Sequence, residues 1–242
     1  MKRLLDIVIS TCGLIIMSPI LLITLFLIWI QDFSNPFYTP YRVGKDGKIF
    51  KMYKLRSMIM NADKTGVDST GANDARITKI GKVIRRFKLD EISQLINVFT
   101  GDMSLDGPRP NVRREVDIYT SKEREILTIK PGITDYSSII FADEAEILKD
   151  QDDPDISYNQ LIRPGKGALG YFYLNNHSLQ VDLRLITYTI ISIFNREVAL
   201  KLVSRMLSME GASKDLITLA LRNEPLKPMP PLGSDTIVQD RT

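Results

Sequence analysis

Hydrophobic and polar positions follow three rhythms along this chain. From Leu4 to Ile30 the sequence is apolar almost without interruption, with Asp6 the one charge inside the run. That exceeds the roughly 20 residues a helix needs to cross a bilayer. From Tyr41 to Met58 apolar and charged residues alternate around Asp46-Gly47, which predicts a β-hairpin. Ile80, Val83, Ile84, Phe87, Ile92, Leu95, Ile96 and Phe99 then recur at helical spacing, predicting a helix capped by Thr78 and stopped by Gly101. Between hairpin and helix, the polar stretch Asn61 to Asp74 contains Gly66 and Gly71 and reads as a mobile loop.

Further along, "NVRREVDIYTSKEREILTI" predicts helix up to Pro131-Gly132, and "GITDYSSIIF" a short strand. Asp153-Pro154 opens another helix. "LQVDLRLITYTIISIFNREVALKLVSRML" is long and apolar with charges at intervals, suited to packing on a core or lying against a membrane. The last twenty residues, with Pro225, Pro228, Pro230 and Pro231, predict a disordered tail. No internal repeat is visible.

The opening run admits three readings. A cleaved signal peptide has a shorter apolar core and a small-residue cleavage site, whereas "WIQDFSNP" follows here. A kinked single span and a re-entrant hairpin both accommodate Ser18-Pro19 near the middle, where proline removes a helix hydrogen bond and the serine hydroxyl takes the freed carbonyl. Lys2 and Arg3 precede the run, and Arg42, Lys45, Lys48, Lys51 and Lys54 follow it. Under the positive-inside rule a hairpin keeps both clusters on one side.

Net charge is only +3, but it is distributed in blocks. Arg42 to Lys88 holds thirteen Lys or Arg against four Asp, whereas Asp143 to Asp155 holds seven acids and one Lys. The basic block should attract phosphate or anionic lipid. Cys12 and His177 are the only cysteine and histidine, which excludes a disulfide framework and a Cys-rich zinc site and leaves no Ser-His-Asp triad away from His177. His177, in a Tyr- and Asn-rich run, reads as structural. Carboxylates, Lys, Tyr or Ser must then carry any chemistry, and a metal held by such oxygens would be a hard ion such as magnesium.

The candidate chemistry lies in "RRFKLDEISQL", residues 85 to 95. Adjacent helical residues point about 100° apart, so Asp90 and Glu91 do not share a face, and spacing alone describes two acids on a solvated helix. Against this, Asp90 has the apolar neighbours Phe87, Leu89 and Ile92 and basic Arg85 and Arg86 nearby. An arginine partner keeps a carboxylate ionised, as a nucleophile requires. "DGPRP" holds Arg109 between two prolines, where its guanidinium suits bidentate phosphate binding or the stretch is simply a stiff turn. Lys54 and Arg56 in "YKLRSM" are either solvated strand residues or part of the same pocket.

Several motifs occur in one order: "KRLLDI", "MSP", "RVGKDGKIFKMYKLRSM", "RITKIGKVIRRFKLDEISQLINVFTGDMSLDGPRP", "KPGIT" and "NNHSLQVDLRLITYT". Together, from about residue 1 to 190, they resemble the bacterial sugar transferases, the monotopic phosphoglycosyl transferases that load a phosphosugar onto polyprenyl phosphate. The resemblance implies an α+β fold: a small, mainly helical catalytic domain with a short β-hairpin, anchored by a re-entrant membrane helix and interfacial amphipathic helices. The expected division is a helix-break-helix anchor at 1–35 turning at Ser18 and Pro19, a catalytic domain at 36–195, an amphipathic helical segment at 196–222 and the tail at 223–242. The implied reaction is two-step. Asp90 attacks a nucleoside diphosphate sugar, expected to be a UDP-sugar, and releases UMP. Undecaprenyl phosphate then takes the phosphosugar. Glu91 would bind Mg2+, while Arg85 and Arg109, with Lys54 and Arg56, would bind phosphate. The implied location is the cytoplasmic face of the bacterial inner membrane, at the first membrane step of glycoconjugate synthesis, with no nucleic-acid partner and homodimerisation left open.

The chain departs from the family pattern at Ser93, where proline is usual, at Asp106 before "GPRP" and at Asp135 after "PGIT". The acidic stretch that follows Asp135 bears on the sugar pocket, so no sugar identity carries over. The competing class is a membrane-anchored basic scaffold or lipid-binding protein without catalysis.

Overall fold

A computed structural model of the protein describes residues 1–62 and 74–240. Most of the loop expected over Asn61 to Asp74 lies outside the described residues. The fold is α+β and mainly helical, as expected, with three two-stranded sheets among the described residues.

Helix α1 (Lys2–Asp32) is long and apolar enough to cross a membrane. It is one continuous helix where a helix-break-helix was expected. Pro19 leaves the Ile15 carbonyl without its usual donor, and the Ser18 hydroxyl donates to it at 2.7 Å. The polarity of α1 is inverted relative to a soluble helix. Asp6, Ser10 and Thr24 are buried, whereas Ile15, Ile16, Leu22, Ile23 and Phe26 are exposed. Polar side chains turned to protein and large apolar ones turned outward are the pattern of a lipid-facing surface.

Both ends of α1 are fastened to one globular body. Lys2 Nζ donates to Asp182 (2.8 Å), Tyr173 Oη (2.6 Å) and the Asp106 carbonyl (3.1 Å). Asp6 accepts from Ser104 Oγ and from the Leu105 amide, each at 3.0 Å. At the far end Asp32 receives two bonds from Arg56, at 2.5 and 2.6 Å.

Four short strands follow: β1 (Phe37–Tyr38), β2 (Tyr41–Val43), β3 (Ile49–Lys51) and β4 (Lys54–Leu55). The expected hairpin is β2–β3, antiparallel with Arg42 opposite Phe50. Its turn works because Asp46 and Gly47 adopt φ of 55° and 76°, the left-handed region open to this dipeptide. β1 pairs antiparallel with β4 and so brings Lys54 to the end of the hairpin unit.

The single helix expected over 79–100 is instead three: α2 (Lys79–Arg86), α3 (Leu89–Ile92) and α4 (Leu95–Thr100). The first interruption is at Lys88, whose φ of 51° ends helical propagation. Apolar periodicity survives the break because each segment buries part of its apolar set: Ile84 and Leu89 cluster with α1 residues Leu25 and Ile28, and Leu95 and Val98 with Ile9, whereas Val83, Phe87 and Phe99 are exposed.

β5 (Ser104–Asp106) pairs in parallel with a later strand. The intervening segment, expected as one helix, breaks into α5 (Arg113–Asp117) and α6 (Ser121–Glu125) because Thr120 and Glu123 form a reciprocal capping box. The partner strand β6 (Gly132–Thr134) occupies only the start of the expected strand. Asp135 then caps α7 (Tyr136–Ile140), accepting from the Ser138 amide at 2.7 Å, which accounts for an acid at that position. The β5–β6 crossing needs glycine. A Cβ on Gly132 would lie 2.1 Å from the Gly107 nitrogen.

The remaining elements are α8 (Glu144–Ile147), α9 (Pro154–Ser157), capped by Asp153, a single π turn over Tyr158–Ile162, and α10 (Arg163–Asn176). His177 caps the end of α10, with Nδ1 2.9 Å from the Leu174 carbonyl, in the structural role expected of it. The long apolar segment breaks at Asn195, which caps the second of its two helices, α11 (Leu179–Phe194) and α12 (Arg196–Met209). α13 (Lys214–Leu221) follows. Val203, Met206, Leu207 and Ala220 share one core with Ile139, Leu169 and Leu185, so the C-terminal helices are integral to the body. The outer face of α11 leaves Leu183, Ile190, Ile193 and Phe194 exposed.

The tail expected to be disordered instead lies along this body. Thr120 Oγ1 donates to the Leu232 carbonyl at 2.5 Å, the Met229 amide to the Gln160 carbonyl at 3.0 Å, and Gln160 Nε2 to the Val238 carbonyl at 2.6 Å. Its prolines restrict the chain, and these partners fix its path.

Candidate active site

The break at Lys88 sets the chemistry. It places Asp90 and Glu91 in the first turn of α3, where negative charge is favoured by the helix dipole. The two carboxylates diverge, as adjacent helical residues must, and each meets a different cation. Asp90 Oδ2 is 3.4 Å from Lys54 Nζ, delivered by β4. Glu91 Oε1 is 3.1 Å from Arg109 Nη1, delivered by the Pro-Arg-Pro turn after β5. All four side chains are partly exposed, between 15% and 34%, and therefore accessible to substrate.

Burial alone would push the Glu91 carboxyl up, but Arg109, Lys88 and Lys54 together hold it below the usual carboxylate range. Glu91 in turn raises Arg109 above the usual guanidinium value. Burial lowers Lys54, partly opposed by Asp90 and reinforced by the charges of Arg109 and Arg42. Arg85 approaches from α2, with Nε donating to Ser57 Oγ at 3.0 Å, and the Asp90 charge acts on it.

Ser93 supports this turn. It is 1% exposed, with Oγ 2.9 Å from the Asp90 carbonyl and 3.0 Å from the Tyr53 carbonyl. The hydroxyl therefore joins the backbone of Asp90 to the residue preceding Lys54. Asn97, fully buried, accepts from the Tyr53 amide at 2.8 Å and donates to the Lys51 carbonyl at 2.7 Å. Together they lock β4 against α3 and α4.

Of the residues singled out in the sequence, Asp90, Glu91, Lys54 and Arg109 come together and Arg85 stands beside them. Arg56 does not. It is 5% exposed and committed to Asp32: β4 ends at Leu55, so strand alternation no longer holds Arg56 on the face of Lys54, and its side chain closes onto the end of α1. Ser18 and Pro19 lie within α1 and act on the anchor alone. Arg42 was missed as a site residue. The hairpin alternation marked it, but only the bond from the Val43 amide to the Asn111 carbonyl (2.9 Å) shows β2 lying against the Pro-Arg-Pro segment.

Among the described residues no group of three or more Asp, Glu, His or Cys side chains gathers as a metal cage. The donor set still suits magnesium, which commonly takes one or two carboxylates and completes its shell with water and substrate phosphate oxygens. Asp90 and Glu91 are the carboxylates that the cluster offers.

A family model described as bacterial sugar transferase matches residues 1–196. The chain is 33% identical over 195 residues to the UDP-N-acetylgalactosamine-undecaprenyl-phosphate N-acetylgalactosaminephosphotransferase of Aeromonas hydrophila, covering 78% of this chain and 42% of that protein. It is 44% identical over 134 residues to a putative undecaprenyl-phosphate N-acetylgalactosaminyl 1-phosphate transferase of Bacillus subtilis, covering 55% of this chain and 70% of that one. The undecaprenyl-phosphate galactose phosphotransferase of Salmonella typhimurium is 42% identical over 149 residues, 55% of this chain and 31% of the relative. The chain thus spans less than half the length of the Aeromonas and Salmonella proteins.

Proposed function

Because the chain belongs to the bacterial sugar transferase family, we propose that it transfers a phosphosugar from a nucleoside diphosphate sugar to undecaprenyl phosphate, with Asp90 as the nucleophile. The observation that carries this reading is the divergence of Asp90 and Glu91 onto separate cations, Lys54 and Arg109, within one accessible cluster.

In the first step an Asp90 carboxylate oxygen bonds to the sugar-bearing phosphorus. The bond from that phosphorus to the bridging oxygen breaks, and nucleoside monophosphate leaves with the electron pair. In the second step a phosphate oxygen of undecaprenyl phosphate attacks the same phosphorus, displaces Asp90 as a carboxylate and gives undecaprenyl diphosphate sugar. Lys54 and Arg85 flank Asp90 and would take up charge on the phosphoryl oxygens; Arg109 would orient the diphosphate. Glu91 would hold magnesium, whose chemistry is to neutralise charge on the diphosphate. The proposed donor is a UDP-sugar, and the names of two relatives favour an N-acetylhexosamine.

The anchor fits a reaction between a water-soluble polyanion and a lipid. α1 turns an apolar face outward while both ends stay with the catalytic body. This supports re-entrant insertion from the cytoplasmic side of the inner membrane, with the site at headgroup depth.

The test is UMP release from a panel of UDP-sugars by protein in lipid, with magnesium and undecaprenyl phosphate. Asp90→Asn should lose turnover by at least about a thousandfold and remain membrane-bound. Full turnover by Asp90→Asn would exclude it as nucleophile.

A further inference from the structure

Among the described residues the cluster contains two cations that no carboxylate pairs: Arg85, which donates to Ser57, and Arg42. Lys54 is paired with Asp90 and Arg109 with Glu91. The Arg42 guanidinium makes a single hydrogen bond, 3.1 Å to the carbonyl of its neighbour Tyr41, and among the described residues no carboxylate lies within ion-pair distance of it.

The hairpin puts it there. Val43 is tied to Asn111, so the residue before Val43 and the arginine two positions before Asn111 sit on adjoining chains. The charges of Arg42, Lys54 and Arg109 act on one another. Burial pushes the Arg42 guanidinium down, the phenol of Tyr38 and the carboxylate of Glu115 oppose this, and Arg109 adds to it. A half-buried cation beside two others is unfavourable without an anion, and a diphosphate supplies one with several acceptor oxygens.

We propose that Arg42 is a phosphate ligand of the donor and grips the phosphate that leaves with the nucleoside. This rests on the assignment of Asp90 as nucleophile. Lys54 touches Asp90 and therefore faces the phosphorus under attack, and Arg109 touches Glu91. Arg42 touches neither carboxylate and takes the second phosphate without surrendering a partner. A guanidinium is suited to this because it binds two phosphate oxygens at once.

The experiment uses the full chain in lipid nanodiscs, comparing wild type with Arg42→Gln and Arg42→Lys. Direct titration with UMP, which needs no turnover, should show affinity falling about tenfold or more in Arg42→Gln, the loss of one charged hydrogen-bonding partner. Arg42→Lys should recover part of it. With UDP-N-acetylgalactosamine, or whichever UDP-sugar the panel identifies, KM should rise by a similar factor while KM for undecaprenyl phosphate stays unchanged. An unchanged melting temperature separates ligand loss from misfolding. Equal UMP affinity in wild type and Arg42→Gln overturns the assignment, whatever the turnover. Absence of UMP release by wild type from every sugar nucleotide, with UMP affinity still dependent on Arg42, removes the proposed reaction and leaves the phosphate site standing.

Discussion

Removing the Asp6 carboxylate should detach the start of α1 from the catalytic body. Asp6 is 3% exposed and accepts from two donors, the Ser104 hydroxyl and the Leu105 amide. Asp6→Ala strands both at a buried position. Each unsatisfied buried donor costs about 1–3 kcal/mol, so the pair sums to about 4 kcal/mol. For a chain of this size each kcal/mol shifts the midpoint by roughly 2–4 °C, giving a fall of about 8–16 °C. Asp6→Asn keeps an acceptor and should lose less than half as much. The assay is thermal unfolding of the detergent-solubilised protein, read in parallel with limited proteolysis around residues 1–10. Asp6→Ala should melt earlier and be cut sooner there. A midpoint within about 2 °C of wild type would refute the claim that this carboxylate anchors α1.

Other consequences follow from the same geometry. Ser93→Ala removes the hydroxyl that bridges the Asp90 and Tyr53 carbonyls; turnover should fall about three- to tenfold with little change in donor KM, and an unchanged kcat would make Ser93 mere filler. Burial, then the charge of Asp182, pushes Asp106 up to about 9 despite Lys2. The folded state therefore binds the extra proton, and stability should decline as pH rises from the ordinary carboxylate range toward about 9. Asp106→Asn should flatten that decline in urea titrations at pH 5, 7 and 9, and an unchanged slope counts against it. For topology, Cys12 is replaced and single cysteines are introduced at Met1 and Ser34. Impermeant labelling of inverted membrane vesicles should reach both, and opposite-side labelling rejects a re-entrant α1.

The apolar run, the Asp46-Gly47 hairpin and the helix starts at Thr78 and Asp153 illustrate what local physics makes readable. Each depends on residues within a few positions, so the responsible chemistry is present in the string itself. The acid pair was readable too, although its spacing alone described a solvated helix and only the order of surrounding motifs marked it as a site. The failures have a common cause. One helix was expected from 79 to 100 because burial imposes apolar periodicity on three successive short helices as readily as on one. The break at Lys88 is held by packing against α1 and β4. The tail was expected to be disordered from its prolines, but its carbonyls find donors on Thr120 and Gln160.

By itself, then, the sequence determined the membrane-length helix, the hairpin, the helix starts at Thr78 and Asp153, and the candidate acids and bases. Tertiary structure decided which bases serve the acids. Arg56 and Lys54 lie two residues apart in one basic motif, yet Arg56 closes onto Asp32 and Lys54 onto Asp90. Arg42 and Arg109 are 67 positions apart and come near enough to act on each other because β2 bonds to the chain beyond Pro-Arg-Pro. Side-chain type is local, whereas the pairing of charges depends on which chain segments are brought within a few ångströms, and long-range packing alone sets that.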